Sequence, residues 1–514
     1  MKTLIAISGR ISSGKSKAIE LLKHRKFNGF NFNYIDLDIF CKGVKDSLPE
    51  IREFFIKYCD HCDPSAKLII ENIIKNPVKE GLYEEYCEFF NTPIKSYLES
   101  LDDGVYIIEA SAIFSYPDIM DMMHHIIVVD PEDNIRNNNL AKRNLTDVKI
   151  FDKIFERNLI ANYDRNLITM VHLKDGTLLE LRAKIELALI SYLSSLEEFK
   201  NDYLQSFQEC LEIIKYFNDY DSHAKNPYHN LNHAISVLTD LVLSGDFTRV
   251  DGLTALYHDC YYEPMEKLNE QKSAAKVRIV DISDDVTNKI LKTTYKFIDE
   301  DIRNFFLADI SHWNRTQEEI FEVERLMFEE YQMVDFCTYR TERIKILNDL
   351  KAKDLPIDFN KGIELSISWL KSFKPKIGWF CGSFNPFTVG HFDILKKAEK
   401  MFDKVVIVQG VNPSKEKSDY SLKQLSKLKK YEIIENVKDI PKLISECGYK
   451  PTLIRGIRNN DDVLDSQNWI AYIKEFVDVE CSLIIGDAKL NHISSSFVRS
   501  LKTFEYSTKK FIID

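Results

Sequence analysis

GSFNPFTVGH, residues 382–391, follows the apolar run Ile377, Gly378, Trp379, Phe380 and leads into the segment FDILKKAEK. An apolar strand, a tight turn holding Ser383 and Pro386, and a Gly-His pair at a helix start together form one α/β unit. Such a unit aims helix N-terminal N–H groups and the His391 side chain into a single crevice, which suits an anion. Farther on, VNPSK (411–415) follows the strand-like KVVIVQG, LIRGIR (453–458) follows another turn, and ISSSFVRSL (493–501) puts three hydroxyls at a predicted helix start. Gly382, Ser383, Lys415, Arg455, Arg458, Ser494, Ser495 and Ser496 thus gather donors and positive charge at strand ends, in a chain whose formal charge is -11.

Outward from that stretch, 514 residues make three or four domains' worth of chain, and 44% hydrophobic content supports packed cores. No apolar run approaches the ~20 residues that span a bilayer, so no membrane partner is expected. MKTLIAISGR, at the N-terminus, has one lysine and too short an apolar run for a secretory signal; the expected location is the cytoplasm. The acidic balance and the lack of a basic stripe argue against nucleic acid. Ten cysteines are scattered, and the close pair Cys59 and Cys62 has no second pair at metal-finger spacing, so free buried thiols are expected.

Three textures follow one another, with no internal repeat. Residues 1–195 alternate strand-like runs (TLIAIS, VYIIEA, HIIVVD) with helix-like stretches, the pattern of a parallel α/β sheet. Residues 196–372 become helical, as in YLQSFQECLEIIKYF, and residues 373–514 restart the α/β pattern after a Lys-Pro-Lys linker at 374–376. The expected fold class is multidomain α/β plus all-α.

GRISSGKS, residues 9–16, fits G-x-x-x-x-G-K-[ST] between an apolar strand and the helix KAIELLK. In this phosphate loop Gly9 and Gly14 let backbone N–H groups curl around a nucleotide's phosphates, Lys15 neutralises their oxygens, and Ser16 is placed to hold Mg²⁺ with ATP. NYIDLDIFCKGV (33–44) puts Asp36 and Asp38 at the end of a second strand, where one of them can orient an acceptor hydroxyl. Together with IIKNP (73–77), VYIIEASAIF (105–114) and LAKRNLT (140–146), this region resembles dephospho-coenzyme A kinase over most of residues 1–195. The resemblance implies Asp36 as base toward a ribose 3'-hydroxyl and Arg143 as a phosphate clamp in a lid. The family's Pro-Leu-Leu after the third strand reads Ala110, Ser111, Ala112 here, so the acceptor stays open, with a deoxynucleoside monophosphate kinase as the nearest rival.

The middle segment carries NPYHNLNHAISVL (226–238), LTALYHDCYY (253–262) and FFLADISHW (305–313). If helical throughout, His229 and His233 share a face, while His258, Asp259 and Asp309 come from two further helices. Imidazole and carboxylate together suit a first-row divalent metal, which makes hydroxide available near neutral pH. The segment resembles the HD-type metal phosphohydrolases over about 150 residues, and NEQKSA (269–274) resembles a motif of one branch of them. By that resemblance His233, His258, Asp259 and Asp309 are ligands of Mn, Fe, Co or Zn, and His229 protonates the leaving alkoxide; the substrate is not readable.

The four motifs of residues 373–514 resemble, in their order, phosphopantetheine adenylyltransferase of the nucleotidyltransferase superfamily. The resemblance implies attack by 4'-phosphopantetheine on the α-phosphorus of Mg-ATP. His391 would then contact the α-phosphate, Ser383, Lys415 and Arg455 the attacking phosphate, and Arg458 with Ser494, Ser495 and Ser496 the ATP phosphates. A Glu that the family carries eight residues after its second Arg falls here at Ser466, beside Asp465. Its product, dephospho-coenzyme A, is the substrate of the kinase resembled by the N-terminal region, so a fused enzyme for two steps of coenzyme A synthesis is expected. A nicotinamide mononucleotide adenylyltransferase fused to a nucleotide kinase, and a non-catalytic coenzyme A or ATP sensor, remain open, as does a homo-oligomer.

Overall fold

The computed structural model describes residues 2–24, 31–58, 81–145, 148–164, 166–196, 202–220, 223–245, 247–278, 284–293, 300–411 and 421–513. Lys415, Thr146, Cys59, Cys62 and IIKNP (73–77) lie outside the described residues. The chain forms two compact units, Met1–Glu322 and Val323–Asp514.

In the first unit, β1 (Lys2–Ser8), β2 (Phe32–Asp36), β3 (Gly104–Glu109), β4 (His125–Pro131) and β5 (Ile168–Leu173) form a sheet in the order β2-β3-β1-β4-β5. Every pair is parallel. Parallel strands covered on both faces read as continuous apolar runs rather than alternating ones, as in Leu4, Ile5, Ala6 and Ile7, all buried. The period of two sorts them: Leu4 and Ala6 pack with Phe90, Ile94 and Leu98 on one face, and Ile5 and Ile7 with Leu21, Leu22 and Ile185 on the other.

The core of that second face does not stop at residue 195. Helix Leu178–Ser195 is buried on most of its circumference, and Ile5, Ile185, Leu189, Phe207, Ile235, Leu238 and Leu253 belong to one cluster. The helical segment and the sheet therefore share a core, and the compact units divide at 322/323 rather than at the expected texture changes 195/196 and 372/373. No named strand falls within 196–372 among the described residues, as expected for a helical segment.

Val323–Asp514 holds the second sheet: β6 (Ile377–Gly382), β7 (Lys404–Gly410), β8 (Glu432–Val437), β9 (Thr452–Ile457) and β10 (Glu480–Ile485), in the order β10-β9-β6-β7-β8. All pairs are parallel. Helices Phe336–Lys351 and Ile357–Ser372 belong to this unit. Lys404, fully buried on β7, ties the preceding chain to the sheet by donating to the carbonyls of Gln332 and Val334 and pairing with Glu432 at 3.0 Å.

Among the described residues no helix is long and apolar enough to cross a membrane. Among the cysteines of the described residues, Cys87, Cys210, Cys260 and Cys381 are buried, and Cys41, Cys337, Cys447 and Cys481 only partly so.

One buried charge cluster fastens helix Leu178–Ser195 to its surroundings. Arg182 reaches Glu319 at 2.5 and 2.9 Å and Glu186 at 2.8 Å, and Glu186 accepts from Thr239 at 3.0 Å. Arg182→Leu strands two buried carboxylates, so equilibrium urea unfolding is expected to show a loss of about 3–5 kcal/mol. Adding Glu319→Leu to it should recover part of that loss; a single variant with wild-type stability would contradict this account.

Candidate functional site

β6 ends at Gly382, the chain turns through Ser383 to Phe387, and Thr388 caps helix Val389–Ala398. The cap is reciprocal: Thr388 Oγ1 accepts from the His391 N–H at 3.3 Å, and His391 Nδ1 accepts from the Thr388 N–H at 3.0 Å. A histidine thus takes the place that Glu or Gln usually fills in a capping box. Because Nδ1 is an acceptor, the neutral ring carries its proton on Nε2. The rings of Phe384 and Phe387, 5.2 and 5.3 Å away between centroids, fix its plane.

His391 lines a cavity of about 630 Å³ together with Gly382, Ser383, Arg455, Arg458, Ser494, Ser495 and Ser496. All eight were expected from sequence to converge, and they do. Arg455, on β9, donates to the Cys381 carbonyl at 3.2 Å and toward Ser466 Oγ at 3.5 Å, with its guanidinium 5.0 Å from the Trp469 ring centre. Ser466 is buried, so the position of the missing Glu supplies a hydroxyl to Arg455. Arg458 is gripped by Asp462 through two bonds of 2.9 Å; these bonds raise the guanidinium pKa and, against the opposing effect of burial, lower that of the carboxyl. Its charge is therefore answered within the protein, unlike that of Arg455, which has no carboxylate within 4 Å among the described residues.

The three serines have structural partners as well. Ser494 caps helix Ser495–Thr503 by accepting from the Phe497 N–H at 3.0 Å, Ser495 donates to the Pro386 carbonyl at 2.9 Å, and Ser496 accepts from Arg499 at 3.0 Å. Arg499 also donates to the Asn385 carbonyl and so shapes the turn. Sequence reading missed it, although an arginine five residues after the serine cap was the available signal.

At the end of β1, Gly9 has φ +152°, and a Cβ there would lie 2.5 Å from the Val129 carbonyl; Gly14 has φ +105°. Both positions require glycine. Lys15 is buried, and burial lowers its pKa, opposed by Asp38 and Glu109. The buried Ser12 and Ser13 hydroxyls have no hydrogen-bond partner among the described residues. Arg136 holds the loop from behind by donating to the Ile11 carbonyl at 2.9 Å. Ser16 Oγ donates to Glu109 Oε1 at 2.5 Å; these two oxygens form a hard donor pair that suits Mg²⁺. Glu109 was missed in the sequence, where it is the acid closing the run VYIIE.

Asp36 is the N-cap of helix Leu37–Val44 and accepts from the Ile39 N–H at 2.9 Å. It does not line the adjoining cavity of about 350 Å³; Asp38 does, with Arg10, Lys42, Lys45 and Ser111, and it accepts from Ser111 Oγ at 2.7 Å. Asp36 thus serves the end of helix Leu37–Val44, and Asp38 is the carboxylate of the pair that lines the cavity. Arg143 follows helix Asp133–Lys142, is exposed, and acts electrostatically on Lys15.

The third centre lies in the helical segment. Helix Leu231–Ser244 begins only after Asn230, whose side chain accepts from the N–H groups of Asn232 and His233. His229 therefore precedes the helix, and the expected shared helical face with His233 is corrected. The donors converge all the same. His233 Nε2 lies 2.9 Å from Asp309 Oδ1 and 3.3 Å from His258 Nε2, and His258 Nε2 lies 3.0 Å from Asp259 Oδ2. His233, His258 and Asp309 are buried and offer ligand atoms within 4.8 Å of one another. Asp259 Oδ2 adds a fourth at 3.8 Å from His233, and His229 Nε2 stands 4.0 Å from the same oxygen. Burial lowers the His233 pKa. Burial alone would also lower that of His258, but Asp259 and then Asp309 outweigh it and hold the value well above usual. Two imidazoles and two carboxylates meeting at such distances form a donor set suited to a first-row divalent ion.

Residues 379–511 match the family model described as Cytidylyltransferase-like. The phosphopantetheine adenylyltransferase of Cytophaga hutchinsonii is 34% identical over 146 residues, 27% of this chain and 96% of that protein. That of Porphyromonas gingivalis is 30% identical over 146 residues, covering 27% and 95%, and that of Lactobacillus acidophilus 28% over 144 residues, covering 26% and 89%.

The capping geometry is directly testable. Long-range proton–nitrogen spectra near pH 8 should find His391 as the Nε2–H tautomer, its signals assigned by their loss in His391→Ala; an Nδ1–H tautomer would refute the cap. Thr388→Val should cost about 1 kcal/mol in chemical denaturation.

Proposed function

This chain belongs, through its C-terminal unit, to the phosphopantetheine adenylyltransferase family, and we propose that the unit transfers the adenylyl group of ATP to 4'-phosphopantetheine, giving dephospho-coenzyme A and pyrophosphate. The single observation that carries this reading is the convergence of His391, Ser383 and Arg455 on one cavity at the carboxyl end of β6. The reaction needs no covalent enzyme intermediate, so positioning and charge stabilisation are the protein's tasks. His391 donates its Nε2–H to the α-phosphate as charge builds there. Arg455 holds the attacking phosphate with a charge that no carboxylate within 4 Å neutralises. The helix start at Ser494, Ser495 and Ser496 receives the ATP phosphates, and Mg²⁺, when bound with the nucleotide, neutralises part of their charge. Lys415 is assigned to the attacking phosphate on the motif alone.

The loop Gly9–Ser16 is assigned the next step, phosphorylation of dephospho-coenzyme A by ATP. Lys15 supports this reading: it is buried, and no described side chain or carbonyl accepts a hydrogen bond from it, so a phosphate would be its partner. Ser16 and Glu109 would hold Mg²⁺, which supplies charge neutralisation when bound. Asp38, at the edge of the cavity, orients the acceptor hydroxyl, and Arg143 clamps phosphate.

The helical segment is assigned a hydrolase activity. His233, His258, Asp259 and Asp309 would hold Mn, Fe, Co or Zn, which lowers the pKa of a bound water. His229 is placed to protonate a leaving group.

Incubation with Mg-ATP and 4'-phosphopantetheine, followed by product identification by mass, is expected to give coenzyme A. Lys15→Ala should stop at dephospho-coenzyme A, and His391→Ala should slow adenylyl transfer roughly 10²- to 10³-fold. A wild-type rate in His391→Ala, or turnover of nicotinamide mononucleotide in place of phosphopantetheine, would overturn the first assignment. Dephospho-coenzyme A as the wild-type end product would remove the kinase assignment alone. Metal retained after dialysis should be lost in Asp309→Ala.

A further inference from the structure

NEQKSA (269–274) takes no part in the chemistry assigned above, yet it opens helix Asn269–Val277 directly against the turn that follows His258 and Asp259. Two of its side chains each close a ring on a single backbone residue. Asn269 Oδ1 accepts from the Glu263 N–H at 3.1 Å while its Nδ2 donates to the Glu263 carbonyl at 3.0 Å. Ser273 Oγ accepts from the Tyr261 N–H at 3.1 Å and donates to the Tyr261 carbonyl at 3.0 Å. Both side chains are buried. Lys276 adds a bond to the Cys260 carbonyl at 3.0 Å.

The spacing has a geometric basis. Four residues of helix rise about 6 Å, and two residues of extended chain about 6.6 Å. Asn269 and Ser273, on one helix face, therefore meet Glu263 and Tyr261 in register, as a neighbouring strand would. A short irregular segment could leave these backbone groups to water; here one helix answers all four. Between the two clamped residues stands Tyr262, whose ring is stacked on His229 at 3.7 Å and whose carbonyl accepts from Asn226 at 2.8 Å. Two residues before Tyr261 stands Asp259, with Oδ2 at 3.0 Å from His258 Nε2.

We propose that Asn269 and Ser273 are positioning residues for the His–Asp centre. By fixing residues 260–263 they hold the Asp259 carboxylate toward His258 and the Tyr262 ring against His229. The proposal rests on the metal-centre reading of His233, His258, Asp259 and Asp309, and the experiment keeps the two apart.

The full chain, stripped of metal, is titrated with Co²⁺ and followed by visible absorption, which reports ligand geometry as well as affinity. Wild type should bind with ligand-field bands. Ser273→Ala and Asn269→Ala should bind roughly 10- to 100-fold more weakly, the usual effect of removing support from behind a ligand, and with altered bands. Gln271→Ala, on the exposed side of the same helix, should match wild type. Asn269→Ala, in the first helical turn, carries the test should Ser273→Ala fail to fold. Wild-type affinity and bands in both variants would overturn the clamp. No Co²⁺ binding by wild type would instead remove the metal-centre reading on which it stands.

Discussion

In each sheet the strand that comes first in sequence lies in the middle, β1 between β3 and β4 and β6 between β7 and β9, and that placement governs the strand-to-helix turn that follows each of them. A central strand has its backbone groups paired on both sides, so donors become available only past its end. There the chain must turn at once into a helix, whose first N–H groups have no intrahelical acceptor. Gly9–Lys15 and Gly382–His391 occupy these two places. Each turn is also braced from outside by arginine. Arg136 donates to the Ile11 carbonyl in the first, and Arg455 and Arg499 donate to the carbonyls of Cys381 and Asn385 in the second.

Contiguous motifs were legible in the sequence because their chemistry and their fold share the same few residues. The glycines of residues 9–16 serve a left-handed turn and would allow close phosphate approach, and the Gly-His pair at 390–391 stands at both a helix start and the cavity. Roles fixed by partners distant in sequence were not legible. Asp36 and Asp38 look equivalent in YIDLD; only the helix start at Leu37 commits one to a cap and turns the other to the cavity. Asn230 caps helix Leu231–Ser244 and so removes His229 from it, although NLNHAISVL reads as helical without a break. Glu109 is one acid in an apolar strand until β3 pairs with β1 in a register that brings it to Ser16. The textures on either side of residue 195 are real, but a helix apolar on most sides can bury against two neighbours at once. Helix Leu178–Ser195 does so, and that joins in one unit what composition separates.

Buried charge separates structure from function more sharply than exposed charge does. Arg182, Lys404 and Lys15 are all buried, and removing an ion from water is costly unless its partners replace the lost solvation. Arg182 has two carboxylates and Lys404 has two carbonyls and Glu432, so both are explained by the fold itself. Lys15 is held by attraction from Asp38 and Glu109 without a hydrogen-bonded acceptor among the described residues. The same contrast divides Arg458, closed by Asp462, from Arg455, which lies beside a tryptophan face and a hydroxyl. An aromatic face attracts the guanidinium without cancelling its charge, so Arg455 retains the field that an incoming phosphate would meet.

The three centres differ in what a ligand must still supply. At β6 the directional part is already built: the ring of His391 is oriented by Thr388 and by phenylalanines, and binding has only to fill the cavity. At β1 the loop conformation is set by Gly9 and Gly14, while Lys15, Ser12 and Ser13 lack hydrogen-bond partners among the described residues, which phosphate oxygens would provide. In the helical segment the four donors already crowd together, and Asp259 and Asp309 raise the His258 pKa against the effect of burial. A cation bound there would require the neutral imidazole. The acidic pair that raises the histidine pKa is therefore the same feature that would draw a divalent ion.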